Sequence, residues 1–308
     1  MTYVADAKLR PSATADYGAP STQRSRGIVL ALLGLLVTAI AFVGNLALGW
    51  NTGLDSASTL PWTFGVTTTG FALIKTGIAV VLWGIVLKLW LRADSIKSTL
   101  TALVGRHIDD PTPVGDIATP FGKATVTETA PGPLPLHKMA KRMFRPMVAM
   151  GLMVVIAGLV VSLVAASSAP NTVALAWMQG LQFLGEGMLL GGISFLLGTI
   201  LWAIRTAGGE IQEALGVKVI TPKMPMTAKA FVGLMLVGMM ISVAQFVGYV
   251  AVAGSPNPTA AFAWLAPLRE VGLGLILAGI ALALVTIGNV LSFQFFRVKS
   301  LIAMGERS

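Results

Sequence analysis

The side chains that could do chemistry in this 308-residue chain are few, and the informative ones stand inside or beside apolar runs. Lys75, Glu186, Arg269 and Glu270 are ionisable, and Asn45, Gln182 and Gln245 are polar. A charge held in hydrocarbon is costly, so it pairs, reaches water or serves a function. Counting residues along their runs, Lys75 and Glu186 lie at similar depth. That predicts an interhelical ion pair, with Arg269 and Glu270 at the boundary with water. The competing chemistry for this seven-residue cluster is an outward-facing site for a small solute or a partner. The small number of polar groups favours the structural role.

Other chemistries lack their residues. No phosphate-cradling GxxxxGK[ST], no HExxH and no nucleophile elbow occurs. There is no cysteine, which removes disulfides, thiolate zinc sites and cysteine-ligated clusters. The two histidines, His107 and His137, lie outside the apolar runs, so haem held in the bilayer by histidine pairs is not expected. No cofactor or metal is predicted. Asp109, Asp110 and Asp116 could hold a cation loosely, but a solvated turn is the simpler reading. An enzyme is the weakest of the function classes.

The elements that must position these groups are transmembrane helices. The chain is 55% hydrophobic and 11% charged, with mean hydropathy +0.80, against about 25% charged in soluble domains. Six runs, at 27–49, 66–91, 146–167, 180–204, 229–252 and 268–295, reach the roughly 20 residues that a bilayer requires. The net charge of +9 does not indicate nucleic acid, because 19 of 22 Lys and Arg fall in the N-terminal tail, 92–145, 205–229 and after 296. The alternate connections near 50–65, 168–179 and 253–267 carry none. This positive-inside pattern places both termini in the cytoplasm of a cell-membrane protein. Trp50, Trp62, Trp177 and Trp264 would form an outer belt, Trp90 and Trp202 an inner one.

The fold class expected is an all-α integral membrane protein of six transmembrane helices, arranged as three repeated hairpins. The second helices align on Gly77, Gly192 and Gly279, with Gly70, Gly185 and Gly272 seven residues earlier and Gly84, Thr199 and Thr286 seven later. A small residue every seventh position makes a smooth stripe that lets helix backbones approach. The first helices share a "GL" pair at Gly34, Gly151 and Gly233. Amphipathic extensions end at Gly105, Gly216 and Gly305, expected as left-handed caps. In the first of them Ile96, Leu100, Leu103, Val104 and Ile108 form one face suited to the inner interface.

The expected organisation is a disordered tail (1–26), hairpin one (27–105), a Pro-rich cytoplasmic linker (106–144), hairpin two (145–216) and hairpin three (217–305). Within the linker, 116–128 can form a short strand hairpin. Pro146 and Pro267 are expected at helix starts, leaving every span uninterrupted. Intact spans and sparse mid-membrane charge point to a non-catalytic accessory or scaffold subunit, whose partners are lipid and other membrane subunits. The alternative is a small-solute transporter or channel with its site near Lys75 and Glu186.

Overall fold

The computed structural model describes residues 20–49, 55–103, 110, 112, 114–119, 122–128, 135–168, 171–255 and 259–305. Among the described residues six helices, α1 (Pro20–Gly49), α2 (Ser56–Leu103), α3 (Pro135–Ser167), α4 (Thr172–Ala214), α5 (Met226–Ala253) and α6 (Thr259–Gly305), dominate. All six are long and apolar enough to cross a membrane, where helices satisfy their own backbone polar groups. Strands β1 (Gly115–Thr119), β2 (Gly122–Glu128) and β3 (Ile220–Pro222) form one antiparallel sheet in that order.

The helices overrun the apolar segments that mark them. At 1.5 Å per residue α2, α4 and α6 are about 72, 65 and 70 Å long, against a hydrocarbon core of about 30 Å. Pro20 to Arg26, expected in the N-terminal tail, are helical; residues 1–19 lie outside the described residues. Pro146 and Pro267 are not helix starts but lie inside α3 and α6, as Pro61 does inside α2. Each lies within the first twelve residues of its helix. Flanking turns carry the helix past the one N–H that proline lacks.

Burial places α4 in the middle. Of an eighteen-residue apolar stretch in each helix, 83% is buried in α4 but only 17% in α1. α1 packs on α2, α3 on α4 and α5 on α6, while α2, α5 and α6 also touch α4. The outer helices need only one stripe. On α3 it runs through Phe144, Gly151, Val155, Gly158 and Ser162, and on α5 through Phe231, Gly238, Ser242, Gln245 and Tyr249, at helical spacing.

Glycine sets how closely the pairs approach. A Cβ on Gly34 would lie 2.5 Å from the Gly70 carbonyl oxygen, one on Gly151 2.9 Å from that of Gly185, and one on Gly238 2.7 Å from that of Gly272. No side chain fits at such separations, so backbone meets backbone. Gly77 meets the Gly27 carbonyl (2.5 Å), Gly192 the Val148 side chain (2.6 Å) and Gly279 the Phe231 carbonyl (3.3 Å), while Gly84 is buried. The first-helix register read from "GL" needs correction: Gly233 is exposed with nothing within 4 Å, and Gly238, five residues on, makes the contact.

At the end of the bundle that carries the basic connections, the chain builds a small head. Gly216 takes a φ of 69° and closes α4. Its N–H donates to the Glu213 carbonyl (3.0 Å) and that of Val217 to the Gln212 carbonyl (3.3 Å), a Schellman cap. Gly305, expected to cap in the same way, is instead the last helical residue of α6, and Gly105 lies outside the described residues. Ile96 is exposed on α2; of the other residues proposed for an interfacial face, Val104 and Ile108 lie outside the described residues.

The 116–128 hairpin forms as β1 and β2, and β3 from the α4–α5 connection joins it. The Pro-rich stretch 129–134 lies outside the described residues. Trp90 and Trp202 meet edge to face at 5.6 Å with Trp202 buried, so this pair belongs to the helix packing rather than to a lipid-facing belt. Trp177 and Trp264 are exposed at the opposite end.

Arg297, 2% exposed, ties this head together. It donates from Nε to Gln212 Oε1 (3.1 Å), from Nη1 to Asp110 Oδ1 (3.0 Å) and Thr112 Oγ1 (2.7 Å), and from Nη2 to Asp110 Oδ2. Gln212 acts as a surrogate strand, donating to the Ile220 carbonyl (3.0 Å) and accepting the Ile220 N–H (2.9 Å). Asp110 is therefore no turn solvated by water. Burial raises its carboxyl pKa, but the Arg297 and Thr112 hydrogen bonds and the Arg297 charge outweigh this and hold it below the usual carboxylate range. Asp116 accepts from Thr125 Oγ1 at 2.7 Å, and Asp109 lies outside the described residues.

Candidate functional site: a charge triad on the central helix

Glu186 stands between Gly185 and Gly187, and those neighbours explain its direction. A Cβ on Gly185 would press on Gly151 and Val155 of α3, and one on Gly187 on Ser242 of α5. Two faces of α4 are thus closed by backbone approach. The carboxylate takes the remaining direction, toward α2 and α6.

There it meets two cations. Lys75 Nζ of α2 donates to Glu186 Oε1 at 2.8 Å, and Arg269 Nη2 of α6 donates to Oε2 at 2.7 Å. The Glu186 side chain is 3% exposed, Lys75 18% and Arg269 22%. Two cations face one carboxylate, and Glu270, 3.8 Å from Arg269 Nη1, supplies the second negative charge at the exposed edge. The triad joins three helices, and it moves Arg269 from its expected place at the water boundary into the packing. The guanidinium also lies over the Phe183 ring, 4.2 Å from its centroid, and 5.9 Å from that of Phe64. Such stacking suits a planar, weakly hydrated cation in a dry site. Phe183, Phe64 and Tyr249 form an edge-packed aromatic group behind it.

The remaining polar residues divide. Glu270 is 75% exposed, with an oxygen 3.8 Å from Arg269 Nη1. Gln245 donates to the Leu265 carbonyl at 2.6 Å, near the turn of α6 that Pro267 opens. Gln182 is fully buried between Gly158 and Gly65, and neither amide atom finds a partner among the described residues. Asn45 is exposed on α1 and stands apart from the triad. It lines a recess of about 520 Å³ together with Ser56, Thr63, Thr67 and Gln179.

None of Lys75, Glu186 and Arg269 lines that recess, nor the apolar cleft of the basic end. Chemically, the triad can bind helices to one another. It presents no nucleophile beside a base, and no group of three or more His, Asp or Glu suited to a metal is found among the described residues. Sequence reasoning missed the Arg269–Glu186 contact and the Arg297 clasp; a lone Arg beside an acid-bearing span was the available signal for the first. Compared with known proteins, the chain matches no family model, no curated protein and no solved structure.

Proposed function

We propose that this multi-pass membrane protein is a non-catalytic scaffold or accessory subunit of a larger membrane assembly. The observation that carries this reading is the saturation of Glu186 by Lys75 and Arg269, away from both cavities. Alternating access needs two packings of similar energy. Three helices locked by one carboxylate, with backbone contacts at glycine in each neighbouring pair, favour a single packing. The three pairs α1–α2, α3–α4 and α5–α6 are on this reading copies of one unit. The lipid-facing side of α1, with Leu36 and Phe42 exposed, supplies a surface for a neighbouring subunit.

A photo-crosslinking residue at Leu36 or Phe42 is expected to join the chain in cells to a second membrane protein, which then co-purifies in mild detergent. A chain that stays alone, and that passes a small solute in liposomes with flux abolished by Glu186→Gln, would establish the transporter reading instead.

The orientation proposed puts the basic end, with its sheet, in the cytoplasm. In this cysteine-free chain, Ser168→Cys and Ser255→Cys should react with an impermeant thiol reagent on intact cells, and Thr127→Cys only after lysis. Labelling of Thr127→Cys alone on intact cells reverses the orientation.

A further inference from the structure

We infer that the cleft between α3, α4 and α5 at the basic end holds an anionic phospholipid of the adjoining leaflet, its phosphate on Arg205 and His137. The cleft has a volume of about 140 Å³, and its polar groups are segregated. Arg205 and His137 line one end, beside Pro222 of β3 and Met224 of the β3–α5 connection; Phe195, Met235 and Leu236 line the rest. The hydroxyl of Ser194 is turned back onto the Leu190 carbonyl (2.9 Å) and that of Thr286 onto the Leu282 carbonyl (2.9 Å), so the wall they belong to is apolar in effect.

From Ser194 to Arg205 the α4 wall runs about 16 Å at 1.5 Å per residue, close to half of a hydrocarbon core about 30 Å thick. A cleft one leaflet deep, apolar along its length and basic at its mouth, has the shape and polarity of a lipid.

Two further observations point to the charge of the headgroup. Arg205 Nε and His137 Nδ1 are both sealed from solvent and have no hydrogen-bond partner among the described residues. Among the described residues, no Asp or Glu lines the cleft. Lys138, Lys223 and Lys229, each adjacent in sequence to a lining residue, are exposed around it. A buried guanidinium edge without an anion is the deficit that a phosphate, with its several acceptor oxygens, corrects. The deep apolar wall selects an anchored phosphate over a free one.

The test compares thermal unfolding and lipid retention of the purified full chain in bilayers of phosphatidylcholine alone, with phosphatidylglycerol, or with free inorganic phosphate. Phosphatidylglycerol should raise the unfolding temperature as a ligand of the native state does, and inorganic phosphate should not. Arg205→Gln should unfold as wild type does in phosphatidylcholine but lose the increment. Its retention of phosphatidylglycerol in native mass spectrometry should fall about tenfold, the loss of a charge-assisted hydrogen bond. Val232→Trp fills the apolar part and leaves Arg205 and His137 in place, so it should lose the same increment and carries the test should Arg205→Gln misfold. An increment unchanged in these variants, one produced by inorganic phosphate, or no increment in wild type overturns the inference.

Discussion

Glu186→Gln is expected to be the most damaging single substitution in the bundle, lowering stability by about 3 kcal/mol because two half-buried cations lose their shared carboxylate at once. Lys75→Met should cost less, about 1.5–3 kcal/mol, the range for one charge-assisted hydrogen bond, since Arg269 still holds the carboxylate. The arithmetic of recovery follows from the triad. Lys75→Met with Glu186→Gln leaves Arg269 only the exposed Glu270, 3.8 Å away, so the double variant should regain little. Adding Arg269→Met should regain part of the loss, because no charge is then left unpaired and only a neutral amide stays buried. Unfolding in detergent of wild type, singles, double and triple measures the coupling. Strictly additive losses through to the triple variant would show that the three charges do not act together.

The second large effect is expected at Arg297. Arg297→Met removes the hub that joins Asp110, Thr112 and Gln212, leaving a buried carboxylate unpaired at a cost of about 3–5 kcal/mol. Arg297→Lys should not rescue it, since a point charge cannot replace a planar fork contacting three side chains. The effect should be local: hydrogen exchange at Val126 and Ile220 should quicken while the triad's helices stay protected. Unchanged exchange at both positions would contradict the clasp.

A pH signature accompanies it. Because the Asp110 carboxyl is held below the usual carboxylate range, it stabilises the fold above that range and loses its contribution as pH falls through the folded value. The stability difference between wild type and Asp110→Asn should therefore shrink on acidification from about pH 6 to about pH 3. A difference that grows over that interval has the wrong sign for this pair.

Hydropathy revealed the six helices because lipid requires long apolar runs. Their true ends were hidden because the extensions beyond the bilayer are ordinary amphipathic sequence. Lys75 and Glu186 could be matched across 111 residues because charges in hydrocarbon have few alternatives to pairing. Arg269 could not, because treating Pro267 as a helix start moved it to the surface, and its long side chain reaches inward. Arg297 was hidden among basic residues that the positive-inside pattern explains equally well. β3 has three residues and no strand pattern of its own; only its partner β2 defines it. The shift from Gly233 to Gly238 has a similar cause. Several glycines on a helix satisfy a sequence pattern, and only the neighbouring helix decides which turn it meets.

The central position of α4 has a consequence for the order of synthesis. Chains emerge from the N-terminus, so α4 enters the bilayer when only α1, α2 and α3 are there to receive it. Lys75 is already in place and can neutralise Glu186 at once. The faces of α4 destined for Ser242 and Arg269 stay against lipid until α5 and α6 arrive. The middle of this protein is therefore completed last: its final helix closes the interior much as a keystone closes an arch, with Arg269 seated on a carboxylate that has already been guarded for some eighty residues of growth.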